Sequence, residues 1–167
     1  MDTNQTLIQL KQLKLKGMAN CYEGILDIVS HQQPQAHSLI AMLAEAEASE
    51  RTRQRTQLYL RLAKLRYSTH LEQVSCTPGR GITSEQLMLL TNGSYIDQAE
   101  NILITGATGC GKSYLACALG RHACTKGYRT LYYSMNRFIE QLALARLDGT
   151  YIKWLNQIAK VPLLILD

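Results

Sequence analysis

The chain has 167 residues, 46% of them apolar and 19% charged, and a formal net charge of +5. That length suits one ordinary domain, or a small domain beside part of a larger one, and the apolar share argues against wholesale disorder. No apolar run reaches the length of a membrane span, the polar N-terminus does not resemble a signal peptide, and the five Cys form no CxxC pair of the kind that holds zinc; a cytoplasmic protein with reduced thiols is expected.

The first two-fifths read as helices. Thr3 or Asn4 caps a helix running to Lys16, with Leu7, Leu10 and Leu13 at three-residue steps and Gly17 as its stop. A second apolar segment, Met18 to Val29, ends near Ser30 and Pro34. A long helix is expected from Ser38 to about Tyr67, acidic and apolar first, basic later. Its basic half holds Arg51, Arg53, Arg55, Arg61, Lys64 and Arg66, with no acid between them. Leu58, Leu62 and Leu65 share one face of it. Such a helix buries one stripe and can lay its cations along phosphates, so these six residues are the candidate DNA contacts. A solvated face, or one that meets an acidic partner, produces the same pattern.

Ser68 to Gly81 is poor in apolar residues, is punctuated by Pro78-Gly79, and reads as a linker. Thr83 to Gln86 has the form of a capping box, opening a short helix that Asn92-Gly93 ends. From Asn101 the rhythm becomes strand, loop, helix. Asn101 to Thr105 reads as a buried strand, Lys112 to Thr125 as a helix stopped by Gly127, and Thr130 to Tyr133 as a second strand. Ser134 or Asn136 caps the next helix, another around Tyr151 to Ala159 carries Trp154, and Leu163 to Leu166 forms the last strand before Asp167. Cys110, Cys117 and Cys124 recur every seven residues and read as small residues along one side of a helix. The class is α/β with a parallel sheet, preceded by a small all-helical region. The expected divisions are 1–67, 68–100 and 101–167.

Gly106-Ala107-Thr108-Gly109-Cys110-Gly111-Lys112-Ser113 matches the phosphate-loop pattern at every fixed position, between a strand signal and a helix signal. Glycines there accept positive φ and let backbone N–H groups face an anion, and the helix N-terminus adds partial positive charge. Lys112 is placed to reach the β- and γ-phosphates, and the Ser113 hydroxyl to coordinate Mg²⁺. The run Val161 to Asp167 reads as a Walker B strand, apolar because both of its faces are covered, with Asp167 beside the loop as a metal-holding acid. The site expected for ATP and Mg²⁺ therefore comprises the loop from Gly106 to Ser113, the adjoining Tyr114, and Asp167.

The block from Asn101 to Ala116 resembles that of the IstB-type ATPases, helper proteins of one class of bacterial insertion sequences, related to DnaC-type helicase loaders. Ala118 to Arg121, Lys126 to Arg129, the early Leu13-Lys14-Leu15-Lys16-Gly17-Met18-Ala19 and the basic run after Glu45-Ala46-Glu47 are similar to further motifs of that family, so the resemblance spans essentially the whole chain. It implies an AAA+ P-loop ATPase that binds ATP, assembles as a homo-oligomer on duplex DNA and delivers that DNA to a cognate transposase. The family follows its Walker B Asp with a second acid that orients water, then a polar sensor, an arginine finger and a lid. This sequence stops at Asp167, so the resemblance implies a C-terminally truncated chain that binds ATP without hydrolysing it efficiently. It also implies that the strand following Asp167 belongs between the strand leading into the loop and the strand ending at Asp167. Without it the first strand has no neighbour, and poor stability and aggregation are expected. A DnaC-type helicase loader shares the same loop, but the Leu-Lys-Gly-Met motif favours the transposition helper. A small-molecule kinase needs a substrate-binding set after the loop helix, of which only scattered Arg137 and Arg146 are present.

Overall fold

A computed structural model describes residues 3–29, 33–77, 79 and 81–167. The expected helix stop at Ser30 and the Pro78 of the expected linker lie outside the described residues. The chain divides into two compact units, residues 1–55 and 56–167. Among the described residues, no helix is long and apolar enough to cross a membrane.

In the first unit, α1 spans Thr3–Gln12 and α2 spans Lys16–Leu26. The helix expected to reach Lys16 stops earlier, because Lys14 turns left-handed at φ 60° and the Leu15 N–H closes on the Leu10 carbonyl. Gly17 is consequently not a stop. It lies inside α2 and is buried, at a point where α3 (Ala36–Ala63) passes very close. A Cβ on Gly17 would stand 2.3 Å from the Ala46 carbonyl oxygen. The Leu15 side chain offers α2 no N-terminal cap. Glu47 of α3 supplies one instead: its Oε2 accepts from the N–H groups of Gly17, at 2.9 Å, and Met18, at 3.3 Å. These are orphan donors of the first turn, where an anion is also favoured by the helix dipole. Arg51 donates to the other oxygen of this buried carboxylate at 2.8 Å. Arg51 first, with the Met18 and Gly17 amides, holds the Glu47 carboxyl below its ordinary range against the opposing effect of burial.

In the second unit, the linker expected at 68–81 contributes to the core. A 3₁₀ turn at Leu71–Gln73 inserts Leu71 against Ala118 and Leu119 of α6 (Lys112–Thr125), with Val74, Leu87, Leu90, Ile104 and Leu115 around them. One well-placed apolar residue suffices for this, which the low apolar content of the segment conceals. Helix α4 (Ser84–Asn92) begins with the expected capping box: Thr83 Oγ1 accepts from the Gln86 N–H, and Gln86 Oε1 accepts from the Thr83 N–H. Gly93, at φ 78°, ends it and leads into the short α5 (Ser94–Asp97).

The sheet pairs β1 (Thr130–Tyr133) with β2 (Leu163–Leu166) in parallel, Thr130 opposite Leu163 and Tyr133 opposite Leu166. Helices α7 (Met135–Leu147) and α8 (Tyr151–Ala159) form the crossover that a parallel pair requires. Helix α6 packs on the sheet through Cys117, Gly120 and Cys124. A Cβ on Gly120 would meet Ile165 Cδ1 at 2.6 Å, so helix and strand approach more closely than a larger residue allows. Cys117 and Cys124 are fully buried small residues of this face, as the seven-residue spacing suggests, but Cys110 lies exposed in the loop.

Asn101 to Thr105 departs from expectation. Among the described residues it joins no ladder, and the sheet has only two strands. Its apolar composition suits a central strand, but a strand exists only where a neighbour accepts its hydrogen bonds. Ile104 packs into the core while Leu103 is 88% exposed. Between Ile102–Ile104 and the outer edge of β2 lies a groove of about 680 Å³.

Unpaired apolar edges of this kind template association with other chains. The 167-residue chain is expected to scatter light increasingly with concentration and to melt without a sharp transition, and Leu103→Lys to suppress the scattering without loss of helical circular dichroism. A monomeric wild-type chain with a cooperative melt would refute this. A second expectation concerns Gly17→Ala. Helix propensity alone favours Ala by about 1 kcal/mol. Forced overpacking costs about 1–3 kcal/mol, and parting α2 from α3 also sacrifices bonds to a charged carboxylate worth about 1.5–3 kcal/mol each. A lower urea midpoint of the helical circular dichroism signal is expected, and an unchanged midpoint would refute the close-contact explanation.

Candidate functional site

The loop from Gly106 to Gly111 is exposed and runs directly into α6, of which Lys112 and Ser113 are the first residues. Gly109 and Gly111 sit at φ 81° and 96°, conformations that a side chain rarely adopts. Gly111 is the N-cap residue of α6 and has no side chain to close the helix end, so the first N–H groups of the helix have no capping acceptor from it. Ala107, Thr108 and Cys110 complete the turn, closed by a 3.4 Å bond from the Cys110 N–H to the Ala107 carbonyl. The Lys112 ammonium donates to the carbonyls of Gly106 and Ala107 at 3.0 and 2.8 Å, which places its charge within the loop.

The loop meets the end of β2 through one side-chain contact. Ser113 Oγ donates to Asp167 Oδ1 at 2.6 Å, across 54 positions of sequence. Backbone bonds fix Asp167 on both sides: its N–H donates to the Tyr133 carbonyl at 3.0 Å, and its carbonyl accepts from the Met135 N–H at 2.6 Å. Its second carboxylate oxygen accepts from the Tyr132 hydroxyl at 2.6 Å, and the Arg66 guanidinium stands 3.9 Å from that same oxygen. The Ser113 bond first, then the Tyr132 bond, with attraction from Arg66 and Lys112, holds the Asp167 carboxyl below its ordinary range despite partial burial. Burial, and then the bond to Asp167, push the Tyr132 hydroxyl up to about 12. At neutral pH the site therefore pairs an ionised carboxylate with neutral hydroxyl donors.

Neither Tyr132 nor a site role for Arg66 was legible in the sequence. Tyr132 reads as a strand residue, and Arg66 reads as the last cation of a basic helix. That helix in fact ends at Ala63, with Lys64 left-handed at φ 52°, so Arg66 lies in the turn beyond it. Tyr114, next to Ser113, contacts the Tyr67 ring with centroids 6.2 Å apart and donates to Gln73 Oε1 at 3.3 Å. Beside the loop is a cavity of about 840 Å³, lined by Gln73, Val74, Gln86, Leu90, Tyr114 and Leu115 among others. That volume is within the usual range for small-molecule sites.

Among the described residues, no group of three or more His, Cys, Asp or Glu side chains is placed to hold a metal by itself. Ser113 and Asp167 instead offer two hard oxygens side by side. A protein supplies about that many to Mg²⁺ when phosphates and water complete the shell.

The other candidate cations divide. Within the first unit, Arg51 pairs with Glu47 and Arg53 with Glu50, in the latter case through two bonds of 2.7 Å. Arg53 and Gln54 draw the Glu50 carboxyl down to about 2. The basic run has no acid of its own, but the preceding helical turn supplies two, so these cations are not uncompensated. Arg55, and in the second unit Arg61 and Lys64, form no ion pair among the described residues.

The sequence model of a family described as IstB-like ATP binding protein matches residues 8–167. A Pseudomonas fluorescens protein, whose name assigns it to insertion sequence IS1162 as an ATP-binding protein, is 40% identical over all of this chain and 73% of its own length. A Sinorhizobium fredii protein named as an insertion-sequence ATP-binding protein is 36% identical, over all of this chain and 68% of its own length. A Pseudomonas aeruginosa protein named for ATP binding in insertion sequence IS21 is 27% identical over 96% of this chain and 60% of its own length.

Proposed function

The chain belongs to the family of IstB-like ATP binding proteins, and we propose that it binds Mg-ATP at the loop from Gly106 to Ser113 and acts as an ATP-dependent helper of DNA transposition. The observation that carries the nucleotide site is the 2.6 Å contact of Ser113 with Asp167, which brings a phosphate-loop hydroxyl and a strand-end carboxylate together. In this reading the loop N–H groups and the α6 N-terminus receive the phosphates. Lys112 turns from the Gly106 and Ala107 carbonyls toward the β- and γ-oxygens, and Ser113 and Asp167 hold Mg²⁺. Bound there, Mg²⁺ neutralises phosphate charge. The 840 Å³ cavity beside Tyr114 and Leu115 receives the nucleoside. Among the described residues, the groups bonded to or ion-paired with the Asp167 side chain are two hydroxyls and a guanidinium, and slow hydrolysis is part of the proposal.

The transposition role is supported by the names of the relatives, all proteins of insertion sequences. The net charge of +5 and the cations Arg55, Arg61 and Lys64, which form no ion pair among the described residues, support contact with duplex DNA. Delivery of that DNA to a transposase, and assembly of copies of this chain on it, complete the proposal.

Titration with a fluorescent ATP analogue tests the nucleotide site. Lys112→Ala is expected to weaken binding at least about tenfold, the equivalent of one lost charge-assisted bond; equal affinity in wild type and variant would remove the loop from the site. Steady-state hydrolysis that Lys112→Ala abolishes would show the slow-hydrolysis claim to be wrong. Filter binding to random duplex tests the DNA contacts. Arg55→Glu and Arg61→Glu are each expected to lower affinity and to reduce the salt slope by about 1, whereas Arg53→Glu, already paired, has less effect. Salt-independent binding would leave these cations as a solvated or partner-facing surface.

A further inference from the structure

The two oxygens of Asp167 have different surroundings. Oδ1 faces Ser113, on the loop side. Oδ2 is held by Tyr132, whose backbone lies in β1 opposite Ile165, two residues before Asp167. Tyr132 thus reaches the carboxylate from a neighbouring strand whose register is fixed by ladder bonds. Its hydroxyl donates to Oδ2 at 2.6 Å.

Arg66 approaches the same oxygen differently. Its closest nitrogen stands 3.9 Å away, beyond a good hydrogen bond, and its side chain is 59% exposed. It rests over the Tyr67 ring, 5.3 Å from the centroid, so it has a second resting place that does not depend on the carboxylate. Such a cation neutralises the acid without orienting it, and it competes with any other cation for it.

We propose that Tyr132 is the positioning residue of the Asp167 carboxylate, locking Oδ2 so that Oδ1 is presented beside Ser113, and that Arg66 is its displaceable counter-charge. This rests on the reading of Ser113 and Asp167 as the metal-holding pair. The two residues then act on metal binding with opposite sign. Loss of Tyr132's hydroxyl frees the carboxylate to rotate and weakens the metal site, as loss of an outer partner of a metal ligand does. Loss of Arg66's charge removes a competitor and strengthens it, and only where salt does not already screen a half-exposed pair.

The test uses the whole chain, below the concentration at which it scatters light, with the fluorescent ATP analogue. Two quantities are read: nucleotide affinity in EDTA, and the Mg²⁺ concentration that half-saturates the further gain in binding. Tyr132→Phe is expected to raise the Mg²⁺ midpoint about tenfold and to leave the affinity in EDTA unchanged. Arg66→Gln is expected to lower the midpoint about threefold in low salt, with the effect gone in high salt, and Arg66→Lys to behave as wild type. A Tyr132→Phe midpoint equal to wild type, or an equal loss of affinity in EDTA, overturns the positioning role. An Arg66→Gln midpoint that is unchanged or raised in low salt overturns the counter-charge, and because Arg66 lies in an exposed turn this arm remains readable if Tyr132→Phe fails to fold. Wild-type chain that binds no nucleotide overturns the nucleotide site itself and this inference with it; wild-type binding with Mg²⁺-dependence, and no effect of either variant, overturns this inference alone.

Discussion

The geometry of the phosphate loop depends on how closely α6 lies against β1 and β2. A helix carrying Leu or Ile at positions 117, 120 and 124 would stand off the sheet; Cys117, Gly120 and Cys124 let it settle, with Ile165 filling the space beside Gly120. The approach has a chemical consequence at the helix's first turn. Ser113 and the end of β2 come within hydrogen-bond distance, so one hydroxyl, one carboxylate and the α6 N-terminus converge. Small residues about one to three helical turns beyond Ser113 thereby decide whether that hydroxyl meets the Asp167 carboxylate at all. The parallel ladder then fixes Asp167 along the other axis, through its bonds to Tyr133 and Met135.

The first unit is built on the same economy of volume. The Gly17 region and the Glu45-Ala46-Glu47 region are far apart in sequence but form one contact. Gly17 permits the approach, Ala46 is small enough to be approached, and Glu47 caps the helix that Leu15 leaves uncapped. Arg51 then closes the remaining carboxylate oxygen, one turn further along α3. Glu47 is the one buried charged residue among the described residues, and it is tolerated because each oxygen has a donor.

Legibility in the sequence followed the range of the forces involved. Helix α6, strands β1 and β2 and helix α8 have the bounds that periodicity and punctuation indicate, and the Thr83–Gln86 capping box has the bonds its four residues specify. All of these are local. The departures are tertiary. Gly17 looks like a helix stop because glycine commonly is one, and only the proximity of Ala46 reveals it as a contact residue. Asn101 to Thr105 has a strand's composition, but composition does not supply a neighbour. Leu71 seals a core from within a polar segment. At the site, the loop and Asp167 were legible because their spacing is a motif, whereas Tyr132 was not, because a hydroxyl acquires this role only when the register of β1 on β2 sets it beside the carboxylate.

A count of cations in the region from Arg51 to Arg66 overstates what that region offers to phosphate. Two of the six guanidinium or ammonium groups are already bonded to acids one turn earlier, and a third stands against Asp167 beyond the helix end. Both guanidinium groups are themselves more than half exposed, so either can exchange its carboxylate for a polyanion that arrives. Their exchange is not equivalent, however. Arg53 leaves Glu50 with the Gln54 amide still donating to one oxygen, whereas Arg51 leaves one oxygen of buried Glu47 without its donor, at the base of the α2–α3 contact. Charge that is read as a surface property in the sequence is, at Arg51, also part of what holds the first unit together. A nucleic acid drawing on that residue would act on the packing of α2 against α3, and one drawing on Arg55 would not.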